Sequence, residues 1–134
     1  MSPTVELQAA IVAALKTAPA VAARIGNRVY DSVPPKPVFP YVSFGPSDEL
    51  SENADCIEGA DIAIQIDVWS RAVGSAEAKE IASLVARVLD DADLALAVNA
   101  LVYFNHEATT VVRDPDGLTT HAVVRFSAFV EFPS

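Results

Sequence analysis

The chain has 134 residues, 51% of them hydrophobic, a formal net charge of −9 and a single cysteine. That length suits one domain over residues 1–134 with one core, and the composition argues against disorder. Cys56 alone excludes an internal disulfide, no apolar run reaches the roughly 18 residues of a membrane span, and the N-terminus lacks the basic start of a secretory signal. A cytoplasmic protein without membrane contact is the simplest expectation.

In chain order, Ser2-Pro3 starts a helix, with Ser2 as N-cap and Glu6 favourable to the dipole of the first turn. Leu7, Ile11, Ala14 and Leu15 share one face, and Pro19 ends the helix near Thr17. Ala20–Arg24 adds a short helical turn stopped by Gly26-Asn27, and Arg28–Asp31 is a short extended piece. Val33–Pro40 is too proline-rich for a helix or a central strand and is expected to be a stiff extended connector. Tyr41–Gly45 reads as a strand with Val42 and Phe44 facing one way. The polar stretch Pro46–Asp55 reads as a mobile loop or hairpin tip.

The chain is organised around Asp61–Leu89. Ile62, Ile64, Ile66 and Val68 alternate with Ala63, Gln65, Asp67 and Trp69, which gives a strand with one apolar wall. From Ser75 the period changes, and Ala78, Ile81, Ala82, Val85, Val88 and Leu89 recur at helical spacing. The helix is expected to stop near Leu89, because Asp90, Asp91 and Asp93 oppose its dipole. Leu94–Asn99 is open between a helical turn and coil. Leu101–Val112 is a long strand, Asp114–Gly117 a hairpin turn, and His121–Phe132 the returning strand, with Ala122, Val124, Phe126, Ala128, Val130 and Phe132 on one face. His121, Arg125 and Glu131 take the other. The expected fold is α+β: an antiparallel or mixed sheet of about four strands, two main helices packed on one face, and a long C-terminal β-hairpin.

Charge is unevenly spread. Asp48, Glu49, Glu52, Asp55, Glu58, Asp61 and Asp67 lie between Pro37 and Ser70 without a lysine or arginine, whereas residues 1–36 carry Lys16, Arg24, Arg28 and Lys36 against Glu6 and Asp31. Sequence-independent DNA binding relies on lysine and arginine displacing counterions, so wrapping of DNA is not expected. The acidic stretch reads first as a solvated surface, and second as a face that repels DNA or pairs with a basic neighbour.

Signs of chemistry are few. His106 and His121 flank the last hairpin and could approach each other across it, but only Glu107 is an obvious third ligand, so ordinary surface or sheet-edge histidines are the better account. Asp61 and Asp67 share a strand face about 20 Å apart, too far to serve one reaction centre. Asp114–Gly117 is a turn, since a calcium loop would need an acid where Arg125 stands. Cys56 has no basic neighbour, and Ser43, Ser70 and Ser75 lack a nucleophile-elbow context. Trp69 stands alone on the polar side of its strand, either as a sheet-end core residue or as a protein-contact anchor. An enzyme is not expected.

Several stretches stand in a telling order: the helix bearing Leu7, Ile11 and Leu15, then Arg28–Asp31 leading to Val33-Pro34, and Pro40–Gly45. Ile64–Arg71 with Gly74 follows, and then Arg113–Gly117 with His121. Together they resemble the tail completion, or tail terminator, proteins of long-tailed bacteriophages and gene transfer agents. The resemblance implies a ring, expected hexameric, that caps the head-proximal end of the tail tube, stops tube polymerisation and joins the tail to head-completion proteins. It implies further copies of the chain, a tail tube protein and a head-completion or connector protein as partners, with DNA passing through the lumen without specific binding. It offers no cofactor, metal or catalytic residue, and it implies a place at the head–tail junction of a virion assembled in the bacterial cytoplasm. Ring closure needs a head-to-tail interface between unlike faces. Arg24, Arg28 and Lys36 are candidates to meet Asp48, Glu49, Glu52 and Asp55 across subunits, and Trp69 and Arg71 are candidate partner contacts. Two alternatives stand beside this reading. One is another head–tail joining or tail-tube ring component, which would differ in whether it stacks. The other is a small-ligand or enzymatic ferredoxin-like domain, which would need a concave site with perturbed titratable groups.

Overall fold

A computed structural model describes residues 2–54 and 57–133, so the expectations for Asp55 and Cys56 lie outside the described residues. The first helix, α1 (Pro3–Thr17), is capped as its sequence predicts: the Val5 N–H donates to Ser2 Oγ at 3.3 Å. Leu7, Ile11 and Leu15 are fully buried. The chain leaves helical geometry at Ala18 and turns by 83° into α2 (Pro19–Ile25). Pro19 therefore starts a second helix as well as ending the first. The predicted single turn is seven residues long because Val21 and Ile25 are both buried in the core. No single described helix is long and apolar enough to cross a membrane; α1 and α2 satisfy that test only as a bent pair, and their large apolar side chains lie mostly inside the core.

The strands are β1 (Val29–Tyr30), β2 (Tyr41–Ala54), β3 (Ile57–Ser70), β4 (Ala100–Arg113) and β5 (Thr120–Glu131), in the order β1-β2-β3-β5-β4. The sheet is mixed and has five strands where about four were expected. The fifth is the short Arg28–Asp31 piece, whose Val29 and Tyr30 run parallel to Val42 and Ser43. The remaining pairs are antiparallel, and β4 with β5 forms the expected C-terminal hairpin. Its turn closes with the Gly117 N–H donating to Asp114 O at 3.0 Å, and Gly117 takes φ 72°, which only glycine adopts freely.

The main departure from the sequence reading is Pro46–Ala54. That stretch lies within β2 and pairs with β3 as far as Ala54 with Ile57. The register shifts between Phe44 and Ser47, so Pro46 sits at a bulge, where its missing N–H is tolerated. The stretch looked like a loop because it is polar. An outer strand beyond the reach of β1 satisfies one side of its backbone from β3 and the other from water, so it needs no apolar pattern. The connector Val33–Pro40 is also not uniformly extended: it bends at Lys36, which takes φ 52°, and at the cis Phe39–Pro40 bond.

The third helix, α3 (Ala76–Leu89), stops at Asp90 as expected and buries Ala78, Ile81, Ala82, Val85 and Leu89. The aspartates that end it also protect the sheet. The Asp91 N–H donates to Phe104 O at 2.8 Å and the His106 N–H donates to Asp90 Oδ1 at 2.9 Å, which occupies the middle of β4's outer edge. Leu94–Asn99 forms no helix, but Leu94 and Leu96 still pack against the core. The helices cover one sheet face, where Val42, Ile66 and Val68 meet Val124, Phe126 and Val130 in one cluster. Among the described residues, no other helix or strand covers the opposite face.

Candidate partner-binding surfaces

The open face begins with an aromatic row. Register places Tyr41, Trp69 and His121 side by side on β2, β3 and β5. The Trp69 indole stacks on the His121 ring at 3.8 Å and on Tyr41 at 6.3 Å, and its N–H donates to Ser43 Oγ at 2.9 Å. Asp67 Oδ1 accepts from Gln65 Nε2 at 2.9 Å and sits 2.8 Å from His121 Nε2. Trp69 is half-buried with its polar atom satisfied inside the chain, so it forms a floor for this end of the sheet.

Arg71 ties together the loops at that end. Its guanidinium carbon lies 4.4 Å over the Phe39 ring, its Nε donates to Thr119 Oγ1 at 3.1 Å, and Nη2 stands 3.9 Å from Asp116 Oδ2. One residue thereby links the proline connector, the β3–α3 loop and the hairpin turn. Three amide and hydroxyl donors from Leu118 and Thr119 hold the Asp116 carboxyl below its ordinary pKa. Around Arg71 the apolar side chains Val38, Val73 and Leu118 face solvent.

The histidines do not meet. His106 faces Phe126, five residues along β5 from His121 and about 17 Å away at strand spacing. An approach of the two across the hairpin, open from the sequence, does not occur. It fails because register, which no single residue reveals, sets who stands opposite whom.

Further along the open face, small side chains leave a trough. The row Asp48, Ala63, Ser127 and Asn105 lies next to the taller row Leu50, Asp61, Phe129 and Tyr103. The resulting groove, about 320 Å³, is lined by Asp48, Leu50, Asp61, Ala63, Tyr103 and Ser127, and it continues past Gln65 and Arg125. Ser127 donates to Glu107 at its β4 side, and Tyr103 O–H donates to Asp61 Oδ1 at 3.4 Å. A protonated Glu52 can donate to the Asp61 carboxylate and an ionised one is repelled by its charge, both of which raise the Glu52 pKa. A raised carboxyl pKa favours the folded state below the unfolded carboxylate range, and that contribution is lost as pH rises through the raised value. Glu52→Gln is therefore expected to raise the melting temperature at neutral pH and to leave it unchanged near about pH 4, as read by thermal denaturation followed by circular dichroism.

The candidate interface cations and acids fare differently. Arg28 Nε donates to Pro40 O at 2.9 Å within the chain, and Glu49 Oε1 accepts from Thr4 Oγ1 at 2.6 Å. Arg24, Lys36 and Asp48 are exposed and make no ion pair among the described residues. Sequence reasoning missed one residue outright. Glu6 looked like an ordinary first-turn acid, yet its carboxylate is buried and accepts from the Val98 and Asn99 amides. Nothing local in the sequence marks a contact across 93 positions.

A family model described as tail completion protein gp17 matches residues 9–131, which takes in every strand, α2, α3 and most of α1. The chain belongs to that family. Among solved structures, a chain of the virion of a native gene transfer agent particle is 34% identical, with a TM-score of 0.88 and 96% of each chain covered. The gp17 protein of bacteriophage SPP1 is similar in fold, at 22% identity and a TM-score of 0.61 over 93% of this chain and 88% of that one. No curated protein matches. The resemblance read from Leu7–Leu15, Pro40–Gly45 and Ile64–Arg71 is borne out, and membership of the tail completion family makes this chain a phage-type structural protein.

Proposed function

We propose that the chain forms a ring that caps the head-proximal end of a tail tube, stops its growth and joins it to head-completion proteins. The observation that carries the reading is the family match across residues 9–131, together with similarity over 96% of a virion chain. The fold supports it in two ways. The acidic trough of the open sheet face and the exposed stretch Val33–Pro40 with Lys36 are two unlike surfaces, which head-to-tail closure of a ring requires. The acid-rich arm of β2 and β3 would repel DNA sliding through a lumen, so the duplex passes without sticking. Function by binding, without turnover, needs only shape and charge at these faces. The ring is expected to be hexameric and to stand at the head–tail junction.

Of the proposed intersubunit pairs, those through Lys36 and Arg24 fit best, since Arg28 is already committed to Pro40 O. Val73 and Leu118, exposed apolar side chains near Arg71, are the proposed contact with the tube or a head-completion protein. The test is tube growth in vitro. Purified protein added to polymerising tail tube subunits should hold tubes at a fixed length, with one ring-sized mass per tube by light scattering and electron microscopy. Tubes that grow equally long with and without the protein would sink the proposal, and unlimited self-stacking of the protein would reassign it as a tube subunit.

A further inference from the structure

We infer that the trough on the open sheet face receives the Lys36-bearing connector of a neighbouring copy of this chain. The inference deepens the ring reading above and rests on it. The trough has an apolar wall, with Leu50 69% exposed beside Ala63 and Tyr103, and it carries the carboxylates of Asp48 and Asp61. Glu52 and Glu107 stand next to it, and among the described residues lining it only Arg125, beside Gln65, opposes their charge. An occupant that fits must bring apolar side chains around a cation.

The connector Val33–Pro40 has that chemistry. Val33 and Val38 are exposed on either side of Lys36, and Lys36 makes no ion pair among the described residues. Lys36 is held at φ 52°, a left-handed conformation that a lysine rarely adopts, between Pro35 and Pro37. The flanking prolines fix this shape before docking, so little freedom is lost on contact. Other cations near the connector are already engaged: Arg28 with Pro40 O, and Arg71 with Phe39, Thr119 and Asp116. A chain's own connector stays out of its own trough, because Tyr41 and Leu50 are separated by nine residues of strand, about 30 Å. The donor and acceptor surfaces are therefore unlike and lie on one molecule, the arrangement that propagates around a ring. An arriving ammonium also relieves the repulsion between Glu52 and Asp61.

The experiment mixes isotope-labelled and unlabelled protein, assembled alone at high concentration or on tail tubes, and treats it with a carbodiimide. That reagent joins a lysine amine directly to a carboxylate it touches. The expected product links Lys36 of one chain to Asp48 or Asp61 of another, identified by mass spectrometry. Lys36→Glu should reduce the assembled fraction at least about tenfold while leaving the melting temperature of the unassembled protein unchanged. Rings that form with links only through Lys16 or Lys79, or with Lys36 linked to the tube protein, would overturn the docking and leave the ring reading standing. Unimpaired rings of the Lys36→Glu protein would do the same. Absence of any assembly, with or without tubes, would overturn both.

Discussion

Phe126→Ala is expected to destabilise the protein by about 3–5 kcal/mol, the usual cost of truncating a fully buried aromatic residue. Phe126 is 1% exposed at the centre of β5, opposite Ile64 on β3 and His106 on β4. Its ring stacks on Phe104 at 4.9 Å and receives the His106 ring edge-on at 5.6 Å. The backbone on both sides is held by ladder hydrogen bonds, so the sheet cannot collapse into the space, and a cavity remains. A domain of this size has a total stability of roughly 5–15 kcal/mol, so the variant would retain little of it. Phe129→Ala makes the control: Phe129 lies on the open face, is only partly buried and stacks on Tyr103 at 6.5 Å. Its loss should cost about 1–2 kcal/mol. Urea denaturation of both variants reads the difference, and equal costs would mean that the helix-covered face is not where the core lies.

The same residues show what the sequence made legible. Ile62 to Val68 and Ala122 to Val130 alternate cleanly because one face meets helices and the other meets none, so their period could be read directly. The stripe of α3 and the proline and glycine punctuation around α1 and α2 were equally plain. Pro46–Ala54 was not, since an outer strand packs nothing beyond its neighbour and leaves no apolar signature. Arg28–Asp31 was legible as an extended piece, but its parallel pairing as β1 was not, because that depends on where the connector returns the chain. The trough was hidden for a further reason. It exists because Ala63 and Ser127 are small where three strands align, and that coincidence belongs to register, not to any one segment. Trp69 and Arg71 stood out in the sequence as candidate partner contacts, but the contacts they make within the chain are with Ser43, Thr119 and Phe39, which composition cannot pair.

Glu6→Ala is expected to cost about 2–4 kcal/mol, more than a first-turn acid on a solvated helix would. Glu6 is 5% exposed, and its Oε1 accepts from the Val98 N–H at 3.2 Å and the Asn99 N–H at 3.0 Å. The carboxylate thus fastens the segment that enters β4 to the first turn of α1. Truncation leaves two amides without their acceptor, each costing about 1–3 kcal/mol where water does not reach. Glu6→Gln separates this role from charge, because a carboxamide oxygen can take over both bonds while Oε2, which has no partner among the described residues, becomes the amino group. Glutamine should therefore be much milder than alanine, and the Val98 and Asn99 amides should exchange with deuterium fast in Glu6→Ala but slowly in Glu6→Gln. Equally slow exchange in the alanine protein would show that the carboxylate is not the fastening. The consequence reaches function through Tyr103, which lies just beyond this segment on β4 and forms one wall of the trough. If β4 loosens at its start, that wall is no longer held against Leu50 and Asp61, so Glu6→Ala should weaken assembly as well as folding.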